Sequence, residues 1–153
     1  MSIEKTVFKA VLDCESDIRK IVLDYQLKAI EVVNASRLPE FAKAVLVEEI
    51  RDTWFNDDVV VDNVMLDLIS ASIRGVHVES FELFVEGSST YEHLQEKLAD
   101  EQMREELACV ANRLDELAMK MYIDVYRIAA PRLGIEVKIP SEAGWIVRLE
   151  KKL

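Results

Sequence analysis

The side chains best placed to do chemistry in this chain are its carboxylates. Glu48, Glu49 and Asp52 cluster near the end of one apolar-periodic segment, with Asp57, Asp58 and Asp62 across a turn from them. Facing acids on two helices can hold Mg²⁺ and, through it, the phosphates of a nucleotide. A second concentration runs through residues 76–106, where Glu79, Glu82, Glu86, Glu92, Glu96, Asp100, Glu101, Glu105 and Glu106 meet only Lys97 and Arg104. Nine acids less two bases place −7 of the chain's formal charge of −10 within that stretch.

Other chemistries lack their residues. His77 and Glu79 form an H-x-E, but no P-C-x-x-C follows to complete a deaminase zinc site. No H-E-x-x-H, paired-cysteine knuckle or E-x-x-H is present, so no metal ligands are expected. No G-x-S-x-G occurs, and Gly75, Gly87, Gly134 and Gly144 each stand alone, so neither a nucleophile elbow nor a phosphate cradle is predicted. His93 reads as a solvated helix residue. No cofactor is expected. Cys14 and Cys109 both fall on apolar helical stripes and read as buried thiols of a cytoplasmic protein.

The run Glu-Glu-Ile-Arg-Asp at 48–52 resembles half of the motif of the all-α nucleotide pyrophosphohydrolases, which pair an E-x-x-E helix with an E-x-x-D helix. The resemblance covers those five residues and implies Mg²⁺-dependent nucleotide hydrolysis. The next segment departs from it, because Asp62 and Asp67 are five apart and diverge around a helix.

The acidic stretch points to binding instead. Its field repels nucleic acid and anionic lipid and favours a basic partner protein. No basic stripe exists to displace phosphate counterions, so direct nucleic-acid binding is not expected. Phe84 and Tyr91 lie among the acids, and a mixed aromatic and acidic patch suits a protein surface. The expected function is a non-enzymatic acidic helical protein-binding module, an adaptor, assembly factor or inhibitor. Its expected contact residues are Glu79, Glu82, Phe84, Glu86, Tyr91, Glu92, Glu96, Asp100, Glu101 and Glu105. The pyrophosphohydrolase-like enzyme is the alternative. A further one is an inhibitor whose carboxylates imitate a phosphate backbone.

The elements that must position these residues are mostly helices. Of 153 residues half are hydrophobic and 31 % charged, with only four Gly and three Pro, which suits one domain with long regular elements. No apolar run approaches the ~20 residues that span a bilayer, and the N-terminal segment is too acidic for a signal peptide. A first helix is predicted from Ser2 to Ala35, with Val7, Val11, Cys14, Ile18, Ile21, Tyr25 and Val32 as its stripe. Pro39 opens a second, which carries Phe41, Val45, Leu46, Ile50 and Trp54 and stops at Asn56-Asp57-Asp58. A third runs from Val59 to Arg74, capped by Asp58.

Residues 76–86 read as a bulged strand, with a helix as the competing reading. A long rod is then predicted over 88–131, with Ser89 as N-cap and Glu92 completing a capping box. Its seam, Leu107, Val110, Leu114, Leu117, Met121, Val125 and Ile128, wants a partner helix. The first helix supplies one, and a rod longer than its domain leaves surface for a second copy, so a homodimer is expected. Residues 134–150 read as a hairpin, with 76–85 as its third strand. The fold class is therefore α-dominated α+β: a bundle of two long and two shorter helices with a small antiparallel sheet.

Overall fold

The computed structural model describes residues 2–74, 76–80, 84–139 and 146–152, with 76–80 described by their backbone. In chain order the helices are α1 (Ile3–Asp13), α2 (Glu15–Asn34), α3 (Glu40–Glu49), α4 (Asp57–Arg74), α5 (Ser89–Lys97) and α6 (Glu101–Ala129). Three strands accompany them: β1 (Val76–Ser80), β2 (Ile135–Lys138) and β3 (Ile146–Lys151). The fold is the expected helical bundle with a small antiparallel sheet. Among the described residues no helix is long and apolar enough to cross a membrane.

α6 is the spine. Leu107, Val110, Leu114, Met121 and Val125 of its seam are buried, and Leu117 and Ile128 are partly so. α2 runs antiparallel along it, as two contacts show: Arg37 beyond the end of α2 meets Glu106, and Tyr25 donates to Asp124 at 2.6 Å. The same Tyr25 ring carries the Lys28 ammonium 4.7 Å from its centroid. α4 runs parallel to α6 on another side, with Asn63 donating to the Tyr122 hydroxyl at 2.9 Å and the Tyr126 hydroxyl donating to Asp67. The seam and the first stripe are thus partners within one chain.

Both predicted long helices break once. The first breaks at Cys14, which leaves helical geometry (φ −118°, ψ 13°). Its thiol donates to the carbonyls of Ala10 and Val11 at 3.3 and 3.5 Å, and such side-chain competition for helix carbonyls bends the backbone. The predicted rod over 88–131 breaks at Leu98–Asp100. Leu98 turns into the core, and Asp100 accepts from the Gln102 N–H at 2.8 Å as the N-cap of α6. No Gly or Pro marks this break. A capping carboxylate and one buried leucine do the work instead.

Caps differ in detail from expectation. α5 is capped by Ser88, which accepts from Tyr91 N–H at 3.2 Å, so the capping box from Ser89 to Glu92 does not form. α4 begins at Asp57, where Asn56 rather than Asp58 accepts from the Val59 N–H, at 3.1 Å. α3 begins after Pro39 and passes into a π turn, Ile50–Trp54, with Ile50 and Trp54 buried. Phe41, placed inward by its periodicity, is exposed.

The sheet has strand order β1-β3-β2, antiparallel throughout, with Val78 opposite Arg148 and Val137 opposite Leu149. β3 alternates as a one-sided strand should, burying Val147 and Leu149 while Ile146, Arg148 and Glu150 face outward. Across the pair, Lys138 bonds Glu150 at 2.7 Å. The strand reading of 76–86 holds for Val76–Ser80. Residues 81–83, including Glu82, and the hairpin loop 140–145 lie outside the described residues, and Phe84–Gly87 form a turn.

α6 ends in a 3₁₀ turn, Ala130–Leu133, closed by Gly134 at φ +68°. An added Cβ there meets nothing within 4 Å, so the left-handed backbone is the whole demand for glycine. Gly134→Ala is expected to cost about 1–2 kcal/mol of stability in urea unfolding, and Gly134→Asn less, because asparagine tolerates this conformation better.

Candidate functional site

One group of exposed acids lies where α5 meets α6. Glu92 and Glu96 sit one turn apart on the exposed side of α5, and Glu101 and Glu105 repeat that spacing at the start of α6. Asp100, between them, is exposed but engaged in capping. Beside this corner is an open groove of about 370 Å³ lined by Arg37, Gln102, Glu105, Glu106 and Cys109. Glu106 is already occupied. It accepts from the Arg37 backbone N–H at 2.7 Å and pairs with its guanidinium at 3.5 Å.

The expected contact residues divide into three groups. Glu92, Glu96, Asp100, Glu101 and Glu105 come together at the corner. Tyr91 does not join them: it is only 9 % exposed and packs in the core beside Leu94 and Leu98. Its hydroxyl is held above the ordinary tyrosine range by burial and by the charge of Glu86. Phe84 is half-buried, with its ring edge-on to Tyr122 at 6.3 Å. Both aromatics sit on the apolar side of a short amphipathic segment, which the local density of acids concealed. Glu86 is half-buried in the turn before α5. Glu79 lies on β1 opposite Val147, and Glu82 is outside the described residues.

The acids of the presumed cation site are placed otherwise. Asp57 and Asp58 both bind Arg19, at 2.8 and 2.7 Å, and Glu15 completes the set at 2.7 Å. A guanidinium therefore neutralises the carboxylates that a cation would have met. Glu48 and Asp52 are exposed, and the π turn from Ile50 takes Asp52 off the i, i+3 register it would share with Glu49 in an α-helix. Asp62 is exposed one helix away. Among the described residues no three His, Cys, Asp or Glu side chains are grouped closely enough to hold a metal ion.

One residue was misread from the sequence and another was missed. Cys109, expected to be buried, is exposed on the groove. Asp115 is the more consequential, since it is 0 % exposed on α6. Its Oδ1 accepts from the Val85 N–H at 2.5 Å. Oδ2 has no hydrogen-bond partner among the described residues. The signal was available: Asp115 falls four residues after Ala111 and three before Ala118, both buried, on the face of α6 that small residues mark for close approach. It ties down the turn that precedes α5, and so bears on where Glu92 and Glu96 stand.

No protein-family model matches this chain, and no curated protein or solved structure is significantly similar to it.

Burial pushes the Asp115 carboxyl up to about 7, opposed by the Val85 backbone N–H and reinforced by the charge of Glu86. The folded state therefore binds a proton more tightly than the unfolded chain. That contribution is present in full at acid pH and is lost as pH rises from the ordinary carboxylate range through about 7. Unfolding free energies of the parent chain should fall across this window, and Asp115→Asn, which keeps an acceptor for Val85, should remove that part of the slope. Parallel slopes for the two proteins would contradict the assignment.

Proposed function

We propose that this chain is a non-enzymatic binding module whose α5–α6 corner docks a basic protein surface. What supports it is one observation. Glu92, Glu96, Glu101 and Glu105 are exposed, and none has an ion-pair partner within 4 Å among the described residues, whereas other acids such as Glu15, Asp57 and Glu106 are paired. Lys97 and Arg104 do not compensate them, and the Arg104 guanidinium turns back to the Ala99 carbonyl at 3.4 Å. Four uncompensated carboxylates on two short helical faces form a concentrated negative field that speeds encounter with a cationic partner.

The break at Leu98–Asp100 bears on the kind of partner. Imitation of a phosphate backbone wants a continuous run of charge along one rod, while here the run turns a corner beside a groove. A folded basic surface with a protruding Lys or Arg fits that shape better than a duplex-binding channel does.

The test is affinity capture with the parent chain and with the variant Glu92→Lys/Glu96→Lys/Glu101→Lys/Glu105→Lys, at about 100 mM and about 500 mM salt. One stoichiometric protein should be retained by the parent at low salt only. The four-fold variant should lose it, and Glu49→Gln/Asp52→Asn should keep it. Retention by the charge-reversed variant would overturn the proposal.

A further inference from the structure

At the far end of α6 from the acidic corner, one groove has the opposite character. Its volume is about 290 Å³, and four segments of the chain wall it. Ile3, Thr6 and Val7 come from α1, and Ser72 from the last turn of α4. Arg132 and Leu133 come from the 3₁₀ turn after α6, and Lys151 from the end of β3. Main-chain bonds bring the two cations to one place. Gly134, in its left-handed conformation, closes the turn directly after Leu133. The Lys152 N–H donates to the Gly134 carbonyl at 2.9 Å, and Lys151 stands opposite Ile135 in the sheet. The turn and the strand end are thus tied together whatever their side chains prefer.

The lining is one-sided in charge. Arg132 and Lys151 are exposed, and neither has an ion-pair partner within 4 Å among the described residues. No carboxylate lines this groove. Three larger grooves among the described residues, beside Arg19, beside Lys43 and at the acidic corner, each carry at least two. Two bases without an acid run against a chain whose formal charge is −10. The hydrogen-bonding groups point the same way, since a guanidinium and an ammonium can only donate. The Ser72 hydroxyl has no partner among the described residues, while the Thr6 hydroxyl already donates to the Ser2 carbonyl at 3.0 Å. The rest of the wall is apolar. Ile3 is 41 % exposed, and Leu133 is partly buried beside it in the groove.

We propose that this groove binds a small organic anion. Its carboxylate or phosphate group meets Arg132, Lys151 and the Ser72 hydroxyl, and its apolar body lies on Ile3 and Leu133. Arginine's planar fork matches both kinds of oxyanion, and lysine adds a point charge. An apolar wall with a few convergent polar groups is the composition of a small-ligand site. The space equals about ten waters' share of the liquid, enough for a single-ring acid and too little for a folded partner. The groove shares no residue with the acidic corner, so neither reading rests on the other.

Amide spectra of the isotope-labelled full chain, titrated with benzoate and with phenyl phosphate to about 10 mM at low salt, test this. The two probes carry the same ring, so the tighter one identifies the acid group. Saturable shifts should gather at residues 3–7, 72, 132–134 and 151. Arg132→Gln/Lys151→Gln should weaken binding at least about tenfold, the worth of one charge-assisted hydrogen bond. Its helical spectrum should be unchanged, because both side chains are exposed. Arg113→Gln/Lys120→Gln removes the same charge from exposed positions of α6 and should leave binding as it was. Benzylamine, a cation of the same size, should give no saturable shift. Neither anion saturating, shifts that gather elsewhere, or binding that survives Arg132→Gln/Lys151→Gln would each overturn the proposal. So would benzylamine saturating at the same amides, or equal weakening by Arg113→Gln/Lys120→Gln, which would reduce the effect to net charge.

Discussion

Everything in this fold hangs on the burial of α6. Its apolar side chains Leu107, Leu114, Met121 and Val125 are shielded from water by α2, α4 and the sheet, and each such side chain contributes roughly 1.5–3 kcal/mol. Non-directional burial alone would let the helices slide. Polar pairs stop that. Tyr25 to Asp124 fixes α2 against the spine, and Tyr122 to Asn63 and Tyr126 to Asp67 fix α4 one helical turn apart. Each joins groups that would cost 1–3 kcal/mol if buried unpaired, so the register is specified as well as stabilised.

α5 is held differently. It is a short helix that buries only Tyr91 and Leu94, with Leu98 just beyond its end, so hydrophobic contact fixes it weakly. Asp115 supplies the missing constraint from inside, by accepting from the backbone of the turn at Val85. Ser88 completes the arrangement, donating to the Val85 carbonyl at 2.6 Å and capping α5. The α5 side of the corner, with Glu92 and Glu96, is therefore tied by one buried carboxylate to the spine that itself carries Glu101 and Glu105. A buried acid is an expensive choice compared with a leucine, and here it sits where a short, weakly buried helix must be oriented.

Much of this could be read from the residues. The seam from Leu107 to Ile128 and the stripe from Val7 to Val32 named each other as partners because period 3.6 is unambiguous over several turns. The hairpin and its third strand followed from alternation and from Gly134. What escaped was set by single side chains acting against the local pattern. The breaks at Cys14 and Leu98–Asp100 have no Gly or Pro, only a thiol sharing carbonyls and an aspartate that prefers a cap. Tyr91 looked like surface because acids surround it in sequence, although its period matches Leu94 and Leu98. Arg19 could not be paired with Asp57 and Asp58 from sequence, since 38 and 39 residues separate them. That one guanidinium changed the meaning of the carboxylate cluster.

The central claim is that Asp115 holds α5, with its side of the acidic corner, on the spine. Amide hydrogen exchange of the parent chain and of Asp115→Ala, read segment by segment at one pH, tests it most directly. Protection should collapse across residues 84–98 and stay intact along 107–125 of α6 and along α2. An unchanged pattern, or a loss spread evenly over the whole molecule, would contradict the account.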